Sequence, residues 1–127
     1  MKQLCSMKNN FLYNKEALYW EKCEGGVRCL LCPHHCIIAE DKSGLCQSRI
    51  NYGGKLWATS YGRVCALCDD PIEKKPLFHF LPQSRCLSVA TAGCNLRCRN
   101  CQNASISQKK PSEISFQEFS PVELVAA

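Results

Sequence analysis

The sequence predicts an α/β chain on three observations. An apolar run, Cys86-Leu-Ser-Val-Ala-Thr-Ala92, reads as a buried strand. It leads directly into Gly93-Cys94-Asn95-Leu96-Arg97-Cys98-Arg99-Asn100-Cys101-Gln102-Asn103, which puts three cysteines on a loop at a strand's C-terminal end. Open α/β sheets and barrels carry their chemistry at that place. Two helix-start signals follow: Ser115-x-x-Glu118 and Ser120-Pro-Val-Glu123 have capping-box spacing, and the second has proline at the first helical position.

Upstream, the first ten residues and Cys5 carry no readable signal. Glu16 to Lys22 combines helix formers with apolar residues near helical spacing and meets Gly25-Gly26, so a short amphipathic helix is expected, with Tyr19 and Trp20 on its core face. Next comes Cys29-Leu-Leu-Cys32-Pro-His-His-Cys36, with Cys46 after Gly44. This C-x2-C-x3-C-x9-C offers four thiolates, the number a structural metal wants. Zinc is the simplest occupant and a second Fe-S cluster is the rival, since thiolate spacing does not separate them. His34 and His35 could each substitute for a cysteine ligand, but a His beside a metal knuckle is more often its neighbour or a surface residue.

Ile50 and Tyr52 before Gly53-Gly54, with Leu56 after, predict a β-hairpin over Arg49 to Thr59; Trp57 reads as a core or lid aromatic. Cys65-Ala-Leu-Cys68 runs into Asp69-Asp70-Pro71, a turn signal, which argues for a structural or incidental role rather than a redox one. It could also supply ligands to the upstream metal. Asp70-Pro-Ile-Glu-Lys-Lys-Pro-Leu77 has two prolines and alternating charge, the pattern of an extended connector. Three units are therefore expected: a cysteine-rich segment over 1–69, a connector over 70–84, and the start of a core domain over 85–127.

Twelve cysteines in 127 residues need an explanation. Secreted chains use such density for disulfides, but the N-terminus has no continuous apolar region with a small-residue cleavage site, and no stretch reads as a transmembrane run. A reducing, cytoplasmic setting with metal-bound thiolates is the expectation. The net charge of +5 is spread over Lys74-Lys75, Arg97/Arg99 and Lys109-Lys110, without a long basic stripe carrying interleaved aromatics. Nucleic acid and membrane are accordingly not expected as partners.

A [4Fe-4S] cube normally takes four thiolates, so the compact triplet Cys94, Cys98 and Cys101 leaves one iron open to chelate a small molecule. With this C-x3-C-x2-C motif the chain resembles a radical S-adenosylmethionine (SAM) enzyme. Adding Asp70-Pro-Ile-Glu-Lys-Lys-Pro-Leu77, His79-Phe80, Cys101-Gln102-Asn103 and Cys32-Pro-His-His-Cys36, it is similar to the radical SAM member of the AmmeMemoRadiSam system, a group often described as pyruvate formate-lyase activating enzyme-like. The resemblance covers about Ala17 to the last residue.

That resemblance implies a partial (β/α)6 TIM-like barrel, of which this chain holds the first strand, the cluster loop and the first helix. It implies an oxidoreductase of activating-enzyme type in which Cys94, Cys98 and Cys101 bind the cluster and SAM. One electron from a flavodoxin- or ferredoxin-like donor then cleaves SAM to a 5′-deoxyadenosyl radical that abstracts hydrogen from a substrate: a glycyl-radical enzyme, another protein and a small molecule are all compatible. No catalytic residue is assigned. The segment Asp70 to Leu77 with His79 is implied to sit near the active-site mouth, and Asn100 departs from the aromatic or large apolar residue many members carry there. The later motifs for SAM are not found, so the chain is expected to be the N-terminal part of a longer enzyme, inactive alone. The alternative is a zinc-binding structural or nucleic-acid-interaction module.

Overall fold

The computed structural model describes residues 15–127, so Cys5 lies outside the described residues. The chain is mainly β, built of short antiparallel sheets. Strands β1 (Trp20–Cys23) and β2 (Gly26–Cys29) form a hairpin, and β3 (Ile37–Ile38) pairs antiparallel with β2. Strands β4 (Arg49–Tyr52) and β5 (Lys55–Ala58) form the hairpin expected around Gly53-Gly54. Strand β6 (Arg63–Val64) pairs antiparallel with the late β9 (Gln117–Glu118), and β7 (Ala66–Pro71) with β8 (Arg85–Ala90).

The helix expected over Glu16 to Lys22 is replaced by extended chain and β1. Tertiary pairing overrides helix propensity here: Glu16 bridges Trp57, Ala17 N–H donates to Leu56 O at 2.8 Å, and Glu21 sits opposite Arg28 with an ion pair of 3.2 Å. Burial follows that pairing. Ala17, Val27, Cys29, Ile38 and Leu56 make the apolar core, with Trp20, Cys36 and Ala58 packed against it. Asn51 is buried beside them, and its Nδ2 donates to Ile38 O at 2.8 Å.

The α/β class, with the start of a (β/α)6 barrel, is corrected. The expected first barrel strand, β8, exists, but it is one arm of an antiparallel pair. A parallel neighbour needs a crossover long enough to hold a helix; residues 72–84 between β7 and β8 contain only a 3-10 turn at Ile72–Lys74. Nor is β8 fully buried: its residues alternate between exposed and half-buried, with Leu87 and Val89 on the exposed face and Ser88, on the half-buried one, donating to the Asp70 carboxylate at 2.5 Å. The turn signal Asp69-Asp70-Pro71 is the end of strand β7, and the expected unit boundary between 69 and 70 falls within that strand.

Beyond β8 the helices are short: α1 (Ala104–Ser107) and α2 (Pro121–Ala126). The second capping box forms as expected, Glu123 N–H donating to Ser120 Oγ at 3.2 Å and Ser120 N–H to Glu123. The first does not start a helix, since Gln117 and Glu118 are taken into β9. Buried Arg63 holds this C-terminal stretch: its Nη1 donates to Thr59 O at 3.1 Å while its guanidinium lies 4.9 Å from the Phe116 ring centroid. Burial lowers the Arg63 pKa and Glu118 pulls it back up.

Candidate metal centre

Two tight turns gather the upstream cysteines. Cys29 ends β2 in the core, and its N–H donates to Cys36 O at 2.9 Å, closing a loop whose turn is made by His35 N–H to Cys32 O at 3.2 Å. Gln47 N–H to Gly44 O at 2.9 Å makes the second turn, which carries Cys46, and an added Cβ on Gly44 would lie 3.8 Å from Cys36 Sγ. The result is one cavity of about 410 Å³ lined by Cys29, Cys32, Cys36 and Cys46, and by Cys94 from the downstream loop.

Two polar side chains address these sulfurs. Ser48 Oγ donates to Cys46 Sγ at 3.3 Å, and Arg49 Nη1 reaches Cys29 Sγ at 3.6 Å while donating to Leu18 O at 2.8 Å. Neither residue stands out in the sequence as a site residue. Ser48 follows Cys46 by two positions, and Arg49 is marked only as the first residue of a hairpin.

The downstream loop is sewn onto this block. Cys94 N–H donates to Cys46 O at 3.1 Å, Gly93 N–H to Ile106 O at 3.0 Å, and His34 Nε2 lies 2.8 Å from Asn95 O. Gly93 is required at the seam. Its φ is +92°, and a Cβ there would stand 2.5 Å from Cys46 O. His34 therefore contacts the loop backbone rather than replacing a cysteine.

The three loop cysteines occupy different surroundings. Cys94 is half-buried and its Sγ receives Leu96 N–H at 3.4 Å; Cys101 is half-buried with its Sγ 3.3 Å from Ser107 Oγ; Cys98 is exposed. All eleven described cysteines are free thiols. Among the described residues no three His, Cys, Asp or Glu side chains stand together closely enough to hold a metal ion. The upstream four share a cavity with Cys94 without converging, and Cys98 and Cys101 lie outside it.

Cys65 and Cys68 stand apart from this cavity. Cys65 is tied to β8, its N–H donating to Ala90 O at 2.9 Å and its Sγ to the same oxygen at 3.4 Å. Cys68 is exposed on β7 opposite Ser88. The segment from Asp70 to Leu77 and His79 do not line the cavity either. Asp70 is instead a local anchor, with Lys74 Nζ at 2.8 Å and Lys75 Nζ at 3.3 Å. The hydrogen bond from Lys74, then that from Ser88, holds its carboxyl well below the usual range, and Asp70 raises Lys74 in turn. Glu73, accepting Gln83 N–H at 2.7 Å, is also lowered. Asp70, Glu73, Lys74 and Lys75 thus each have a partner within this segment and its neighbours.

The chain is 52% identical over 112 residues to an uncharacterized protein, MJ0808, of Methanocaldococcus jannaschii. The match covers 87% of this chain and 34% of the relative, so the chain spans about a third of that protein's length. No family model matches the chain, and no solved structure matches it. No helix among the described residues is long and apolar enough to cross a membrane.

Proposed function

We propose that this chain is the cluster-bearing part of a radical SAM enzyme, with Cys94, Cys98 and Cys101 as the three thiolate ligands of a [4Fe-4S] cluster. The donor set suits that group in kind: three soft thiolates on one loop, one short of the cluster's four irons. The three side chains would have to turn toward one another to hold it, since among the described residues no three stand close enough to bind a metal ion. The observation that carries the reading is this loop itself, C-x3-C-x2-C directly after strand β8, with an N–H already directed at Cys94 Sγ. Bound there, the cluster would supply an open iron for SAM and the electron that cleaves it.

The protein's own part is to position and tune. Gly93 lets the loop pass against Cys46, and the bonds from Cys94 N–H and His34 fix the loop's first two residues. The Leu96 N–H and the Ser107 hydroxyl stand at two of the sulfurs, where hydrogen bonds raise the potential of such clusters. Arg97 lines an open groove with His34, His35 and Lys110, a basic setting that favours added negative charge. A flavodoxin- or ferredoxin-like donor, cytoplasmic residence and a protein or small-molecule substrate complete the proposal.

Anaerobic reconstitution with iron and sulfide tests it. The chain should turn brown and hold about four irons, as the cluster type requires, and Cys98→Ala should lose the iron and the colour. A colourless wild-type protein that takes up zinc at the loop cysteines would overturn it.

A further inference from the structure

We infer that Cys29, Cys32, Cys36 and Cys46 close around one divalent ion of the zinc class, and that this ion braces the loop carrying Cys94. The backbone already does most of the gathering. Two turns and the Cys29 to Cys36 hydrogen bond bring four cysteines to one cavity from two short segments. Their sulfurs do not yet converge, but each cysteine has only χ1 to adjust, and its three staggered wells move the sulfur without moving the backbone.

The polar neighbours suit thiolates rather than apolar thiols. Arg49 brings a positive charge to Cys29 and Ser48 a hydroxyl donor to Cys46. Four thiolates around a divalent ion leave an excess of two negative charges, and such donors stabilise and orient ligands of this kind. On binding, each thiol releases its proton to solvent as its sulfur takes a metal bond, with no change of oxidation state.

Bracing follows from the seam. The carbonyl of Cys46 accepts the Cys94 N–H, so fixing Cys46 by its sulfur fixes the acceptor that holds Cys94. This inference stands apart from the cluster reading, because the upstream set shares no ligand with the downstream one.

The test uses the full chain with Cys98→Ala and Cys101→Ala together, titrated anaerobically with Co(II). One equivalent should bind, with a thiolate-to-cobalt charge-transfer band and the ligand-field intensity of a tetrahedral site, and Zn(II) should displace it. Adding Cys36→Ser should weaken binding by more than about tenfold, since even losing a partner of a ligand costs that much. Hydrogen exchange of the Cys94 amide should slow when Zn(II) is added. No cobalt uptake by the double variant, uptake without the charge-transfer band, or iron and sulfide in the upstream set would overturn the ion. An exchange rate indifferent to Zn(II) would overturn the bracing. Because the double variant lacks two of the proposed cluster ligands, these outcomes do not depend on whether the wild type holds a cluster.

Discussion

Gly93→Ala should destabilise the fold by about 2–3 kcal/mol, from two separable costs. An L-residue forced into the left-handed region loses about 1–2 kcal/mol, and Gly93 has a φ of +92°. The new Cβ would also meet Cys46 O at 2.5 Å and Ser48 Cβ at 3.1 Å. Backbone cannot yield as a flexible side chain does, so the Cys46 carbonyl must move by about half an ångström. That carbonyl accepts the Cys94 N–H at 3.1 Å, and losing such a bond costs about 1 kcal/mol. Gly53→Ala isolates the first cost, since Gly53 has a φ of +62° and an added methyl there would meet nothing within 4 Å. Urea unfolding of the reduced, metal-free protein reads both; with a slope of about 1–3 kcal/mol per molar, Gly93→Ala should lower the midpoint by roughly 1 M or more, and Gly53→Ala by about half as much. Equal shifts in the two variants would refute the claim that the loop is pressed against Cys46.

Asp70→Asn should destabilise the protein at neutral pH. The folded-state pKa of Asp70 is depressed, so its stabilisation is complete above the unfolded carboxylate value of about 3.9 and is lost as pH falls toward the folded value. The gap between wild type and variant should therefore narrow below about pH 4, and a constant gap down to pH 2 in urea titrations would refute the ion pairing. Asn51→Ala should cost about 1–3 kcal/mol in the same assay, because it removes the buried bond from Nδ2 to Ile38 O and leaves a void beside the core. His34→Ala, which removes an exposed contact to Asn95 O, should change global stability by less than about 1 kcal/mol yet speed hydrogen exchange in the loop around Cys94.

What the sequence made legible was local. The Gly53-Gly54 hairpin, the Ser120 cap and strand β8 each follow from residues a few positions apart, and each forms. The class failed because it depends on what a strand pairs with. Nothing within Cys86 to Ala92 distinguishes a parallel barrel strand from an antiparallel arm; the distinction lies in the pairing with β7, where Ser88 faces Cys68 and Cys86 faces Asp70. The helix expected over Glu16 to Lys22 failed for a similar reason, since its backbone hydrogen bonds go to Leu56 and to the facing strand. The cysteine spacing singled out four residues that line one cavity, but not that Cys94 would join them there, nor that Arg49 and Ser48 would lie beside their sulfurs.

That fifth cysteine changes how the two blocks relate. Motifs separated by the whole of β4 to β8 meet at the backbone of Cys46, through a glycine no larger residue can replace without displacing that carbonyl. A knuckle that only stiffened the N-terminal segment would have no need of so close a seam with a distant loop. Its energetic consequence is reciprocal: whatever orders Cys46 must also favour the placement of Cys94, and whatever binds Cys94 must favour the folded knuckle, by the same free energy. Metal affinity at either block should thus rise when the other is filled. If the two affinities, measured with the opposite block loaded and empty, prove independent, then the hydrogen bond from Cys94 to Cys46 transmits nothing and the two sites are merely neighbours.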